Sequence, residues 1–168
     1  MNTPRFNFTV RVDRSVKPNY PGWIGTVMHP ELELAGPAEY NLQDGVEQWL
    51  HDNQKHGFGV GYTIYTHLLR GNVLAICLNL QDGLAIQQKG IVVFRKLFAD
   101  KAVFLWGSVV RYRLGGLYIP YLHEKNNRVR MNWRSMALDI PWNSNDPALR
   151  FRKTEACTDC HRSLYHGH

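Results

Sequence analysis

Long apolar runs are missing from this chain: none approaches the ~20 residues that a membrane-spanning helix needs. Cysteine is scarce, with three in 168 residues and two of those near the end, which excludes a disulfide framework. A secretion signal is missing too, because Met1 to Arg14 interleaves Arg5, Arg11 and Arg14 with Phe6, Phe8, Val10 and Val12 where an apolar block would be required. These absences predict a cytoplasmic protein with reduced thiols and no membrane partner.

Acidic residues are also few, 14 against 20 Lys and Arg, for a net charge of +6. The imbalance is local. Between Ile91 and Lys153 twelve basic residues face four acids, a net of +8, while the rest of the chain carries −2. Such asymmetry points to an anionic partner, of which DNA or RNA is the commonest. A solvated basic surface that aids solubility has the same composition.

Most catalytic signatures are absent. Ser108 lies in Trp106-Gly107-Ser108-Val109-Val110, which is not a nucleophile elbow. Gly57-Phe58-Gly59-Val60-Gly61 follows a helical pattern and lacks the second half of a dinucleotide fingerprint. Cys77, among Ile, Leu and Ala, has the surroundings of a small buried hydrophobe. His29-Pro30-Glu31 supplies the H-x-E half of the zinc-deaminase pattern, but Ala156 precedes Cys157 where that pattern has proline. The remaining polar candidates, Glu39, His51, Asp52, His56, His67 and His123, include no converging pair of carboxylates. No catalytic residue is assigned.

What the chain does have is one block with a consistent pattern. Ala102 to Arg113, Leu117 to His123 and Arg128 to Arg134 are rich in β-branched and aromatic residues and are separated by Gly115-Gly116 and Asn126-Asn127, which predicts an antiparallel meander. In the last run Val129, Met131 and Trp133 alternate with Arg128, Arg130 and Arg134, so one face packs and the other carries guanidiniums. Two-residue turns at both junctions would pair Arg113 with Tyr118 and Leu122 with Met131, mixing Arg111 and Arg113 with the core. A one-residue shift at Pro120, which cannot donate to a ladder, resolves the conflict. Arg111, Arg113, Arg128, Arg130 and Arg134 then share a face with Ile119, Tyr121 and His123, and Tyr121 becomes a stacking plane for a single-stranded nucleic acid. Arginine stems covering apolar surface would produce the same pattern.

Elsewhere, Arg5 to Val12 alternates as a strand and is expected to join the meander's sheet. Lys17 to Pro37 holds Pro18, Pro21, Pro30 and Pro37, a density that forbids a long helix or a central strand. Asn41 is placed to cap a helix from Leu42 to Gln54, Thr63 to Arg70 has helical spacing, and Asp82 is placed to cap a helix from Gly83 to Phe98. The expected fold is α+β: an antiparallel sheet of meander and N-terminal strand, covered on one face by two or three helices. Residues 1–153 form a single domain in this scheme, and 154–168 form a tail.

That tail carries Cys157-Thr158-Asp159-Cys160-His161, a C-x-x-C-H motif. Over those five residues it resembles the haem-attachment site of c-type cytochromes, which implies covalent haem c with His161 as axial ligand and His166 or His168 opposite. The same residues suit zinc: Cys157 and Cys160 with His166 and His168 give a Cys2His2 set, with His161 as an alternate ligand. The functions expected from the sequence are therefore polyanion binding through the arginine face, metal or haem binding through the tail, or protein interaction without chemistry.

Overall fold

Short strands and short helices alternate through the first hundred residues, and long extended runs occur only in the second half. The computed structural model describes residues 6–153. Its strands are β1 (Thr9–Arg11), β2 (Ile24–Val27), β3 (Glu39–Asn41), β4 (Val46–Trp49), β5 (Gly59–Val60), β6 (Val103–Phe104), β7 (Val110–Tyr112), β8 (Leu117–Lys125), β9 (Arg128–Ser135), β10 (Pro141–Trp142) and β11 (Ala148–Phe151). Its α-helices are α1 (Asp52–Lys55), α2 (Gly61–Arg70), α3 (Leu80–Gln88) and α4 (Ile91–Phe98). The fold is α+β, built on a seven-stranded sheet in the order β2-β7-β8-β6-β11-β4 with β9 beside β8. Pairing is antiparallel except between β6 and β11.

The β8–β9 hairpin forms as its sequence predicts. Asn126 and Asn127 turn through left-handed backbone, φ 54° and 60°, a geometry whose twist matches that of the strands it joins. Pairing then runs unbroken from Lys125↔Arg128 to Tyr118↔Ser135, with Leu122 opposite Met131. The register change lies elsewhere than expected. Pro120 stays in the ladder opposite Trp133, and the chain on its other side departs instead. Val103 pairs with Leu122, a three-residue 3-10 turn at Trp106–Ser108 intervenes, and Val110 then pairs with Tyr118. Pro120 accepts a bond from Leu105 N–H at 3.0 Å on that edge and has no N–H to offer there, so little is lost where the facing chain leaves. An odd insertion exchanges the faces. Arg111 therefore pairs with Leu117, not Pro120, and Gly115-Gly116 lies in a wider loop than a two-residue turn.

Alternation along β8 feeds two cores. Leu122, Val129 and Met131 pack with α3 and α4, while Ile119, Tyr121 and Phe104 pack with α2 and Trp142 on the opposite side. The N-terminal strand does not join the large sheet. β1 pairs with β3 in a sheet of its own, because Val12 N–H reaches Ala38 and Leu42 N–H reaches Phe8, each at 2.8 Å. Val10 and Val12 still reach the α3–α4 core; alternation specified the buried face and not the partner.

The predicted helix over 42–54 is absent. Asn41 Oδ1 does accept from the backbone of Gln43 and Asp44, at 2.9 Å each, but the bonds close a turn. Val46 to Trp49 then pairs with β11. Helical structure starts at His51, which caps the single turn α1. The predicted helix over 83–98 is two helices, because Gly90 at φ +89° ends one and starts the next. Asn79 is the N-cap of the first, with Asp82 completing a capping box.

Candidate nucleic-acid interface

The hairpin register decides where each arginine goes. Arg111 lies opposite Leu117, Arg134 opposite Ile119, Arg130 opposite His123 and Arg128 opposite Lys125, so these four share one face with Tyr121. Arg113 follows β7 in the loop and is exposed; its N–H donates to Trp23 O at 3.1 Å.

Their surroundings divide them. Arg134 is engaged internally: Nη1 lies 3.2 Å from Asp146 Oδ2, and the side chains are only 21% and 10% exposed. Its guanidinium also lies over Phe104, Tyr121 and Trp142. Tyr121 is engaged as well, stacked on Phe104 with centroids 4.9 Å apart and flanked by Arg134 and His123. By contrast, Arg111, Arg113, Arg128 and Arg130 are exposed, and among the described residues no acid pairs with them within 4.0 Å. Lys125 shares that state. The free cations of β7 to β9 and their turns fall into two groups, Arg111 with Arg113 at one end of β8 and Lys125, Arg128 and Arg130 at the other. Six residues of strand separate Leu117 from His123, roughly 20 Å.

The second group has neutral polar neighbours. His123 Nε2 and Asn132 Nδ2 lie 2.8 Å apart, and burial, then Lys125 and Arg134, hold the His123 imidazole below its ordinary pKa. Arg95 straps the back of the hairpin, bonding Glu124 and Asn127. A cleft of ≈ 380 Å³ lies between Lys125, Asn126, Arg130, Met131 and Asn132.

Periodicity gave no sign of a second feature, a cluster of aromatic rings at the far end of β9. The Trp23 ring meets Tyr118, Trp133 and Tyr112 edge-on, at 5.2, 5.4 and 5.9 Å between centroids. Trp23 comes from the proline-rich connection, so the cluster joins residues some ninety to one hundred and ten positions apart. The signal available in the sequence was the high aromatic content of Tyr112, Tyr118 and Trp133, read there only as strand propensity.

The other candidates have structural explanations. Cys77 is buried, and desolvation pushes its thiol up to about 12, which removes it as a nucleophile. His29 contacts Tyr65 Oη at 2.5 Å and Glu31 at 3.5 Å. His51 Nδ1 accepts from Asn53 N–H at 3.0 Å. Among the described residues no three His, Cys, Asp or Glu side chains gather as metal ligands. Cys157, Cys160, His161, His166 and His168, the expected zinc or haem ligands, lie outside the described residues. No described helix is long and apolar enough to cross a membrane. Compared with known protein families, curated proteins and solved structures, the chain matches none.

Proposed function

We propose that this protein is a binding module for a nucleic acid or a related polyanion, acting through the β8–β9 hairpin and its flanks. One observation carries the proposal. Arg11, Arg14, Arg95, Arg134 and Arg150 each pair with a carboxylate, whereas among the described residues six arginines have none within 4.0 Å, and the meander gathers four of them, Arg111, Arg113, Arg128 and Arg130, the others being Arg70 and Arg152. Exposed guanidiniums without a carboxylate partner are available to phosphate, and each phosphate they neutralise releases a condensed counterion. The two groups lie about 20 Å apart, close to six phosphates at the ~3.4 Å per-strand spacing of a duplex.

The test is fluorescence anisotropy with labelled single-stranded DNA, single-stranded RNA and duplex DNA at several salt concentrations. Affinity is expected to fall steeply with salt for at least one of them. Replacing Arg111, Arg128 and Arg130 together by Ala is expected to flatten the slope of log K against log salt by about 2 on a single strand, at ~0.7 per phosphate contact. Salt-insensitive binding, or no binding to any of the three probes, rejects the proposal.

A further inference from the structure

We infer that the aromatic cleft at the β9 edge receives an unpaired nucleobase, which would make the module a reader of single strands; the inference rests on the polyanion proposal above. Trp23, Tyr112, Tyr118 and Trp133 are all half-buried and belong to neither of the two cores. Their side of the sheet is the one covered by α3 and α4, but that cover ends near Met131, which packs against Gly83 of α3. Beyond it the rings close on one another and leave a cleft of ≈ 530 Å³ lined by the four of them and Asn132. That volume lies in the range of small-molecule sites.

Position and charge select the occupant. Among the described residues β9 pairs only with β8, so it is an edge there, and Asn132 and Trp133 point to opposite faces of it by the period of two. Because both line the cleft, its mouth lies at that edge. Arg128 and Arg130 precede it on the same strand, and Arg113, whose N–H bonds the Trp23 carbonyl, stands on its far side. A chain entering at that edge would pass the free cations of the hairpin, which share the Asn132 face of β9, and then cross the rings over β8 toward Arg113 beyond β7. Among the described residues no acid lines the cleft. A quaternary ammonium, the other common guest of aromatic cages, would find no counter-charge among the residues that line the cleft. A base on a phosphate backbone meets π-faces for its ring and guanidiniums for its charge.

The test compares oligothymidylate with an abasic oligomer of the same length at fixed salt, following Trp fluorescence and anisotropy. Wild type is expected to bind oligothymidylate more tightly, with quenching absent from the abasic titration. Trp133→Leu is expected to weaken oligothymidylate binding by about 5- to 100-fold, the loss of one stacked base, and to leave abasic binding unchanged. Trp133→Phe should retain most of the affinity, and circular dichroism melts report whether each variant folds. The comparison of wild type on the two oligomers decides the matter even if Trp133→Leu does not fold. Equal affinity for both without quenching overturns the base site and leaves the polyanion proposal standing. Absence of binding to either overturns the base site, and the polyanion proposal falls with it only if RNA and duplex DNA also fail to bind. Quenching by tetramethylammonium or by a neutral oligosaccharide, with none by oligothymidylate, also overturns the base site.

Discussion

Arg14 and Asp82 are separated by 68 residues in sequence, yet Arg14 Nη2 lies 2.7 Å from Asp82 Oδ1, with side chains 12% and 1% exposed. Tyr40 Oη donates to the same carboxylate at 2.8 Å, and Asn79 N–H reaches its other oxygen at 3.0 Å. The Arg14 guanidinium also donates to the Pro37 carbonyl. One buried charge pair therefore ties the N-terminal segment, the proline-rich connection and the start of α3. Burial, and then the Asp82 charge, raise the Tyr40 hydroxyl well above the usual phenol range, which keeps it a donor.

Arg14→Leu is expected to destabilise the fold by about 3 to 5 kcal/mol, because it leaves the Asp82 carboxylate buried without its counter-charge. Urea denaturation measures this. Adding Asp82→Asn to Arg14→Leu should recover part of the loss, since Tyr40 and Asn79 can still bond a neutral amide.

Arg134 and Arg130 should behave as different kinds of residue although they alternate on one strand. Arg134→Ala breaks a largely buried pair and empties the space between Phe104, Tyr121 and Trp142, with an expected loss of about 3 kcal/mol in stability. Arg130→Ala is exposed and unpaired, and its effect on stability should stay within about 0.5 kcal/mol. Parallel thermal melts and nucleic-acid titrations separate the two: the first variant loses melting temperature, the second loses salt-dependent affinity.

Gly61→Ala should destabilise the protein by about 1 to 3 kcal/mol through overpacking, although alanine has the better helix propensity. A Cβ there would lie 2.9 Å from Trp142 Cζ3 and 3.1 Å from the Met136 backbone, and neither a buried indole nor a main chain can rotate away. Equal denaturation midpoints for the two proteins would show that the β10 region yields.

Acid should weaken the fold through His51. Burial, then the neighbouring His67, lower its pKa, with Asp52 opposing, and the cap it provides to Asn53 N–H requires an unprotonated Nδ1. A histidine whose folded pKa is depressed binds fewer protons folded than unfolded, so its contribution is complete above the unfolded value near ~6.5 and is lost as pH falls through the folded value. His51→Asn keeps a good N-cap that does not titrate. Between pH 7 and 5 this variant should lose less stability than wild type in thermal melts, His123 contributing in the same direction in both.

Local signals were read correctly where only one structure satisfies them. The Asn126-Asn127 turn, the helix over Thr63 to Arg70 and the buried state of Cys77 are such cases, as is the Leu122–Met131 register. Asn41 shows the opposite: an Asx turn and a helix N-cap use the same side-chain acceptor, and pairing of Val46–Trp49 with Ala148–Phe151 chose the turn. At Gly90 the pattern on either side was helical, and one positive φ divided it.

The sequence by itself determined the alternation of β8 and β9, the surplus of cations between Ile91 and Lys153, and the α+β class, because these depend on residue period and composition. Tertiary structure decided which cations stay free. The three-residue turn opposite Pro120 set the face of Arg111, Asp146 neutralised Arg134, and Trp23 arrived from the proline-rich connection to close a cleft with Tyr118 and Trp133. Each depends on a contact between distant parts of the chain, and the energy of such a contact is set by the packing of the whole fold and not by its neighbours in sequence.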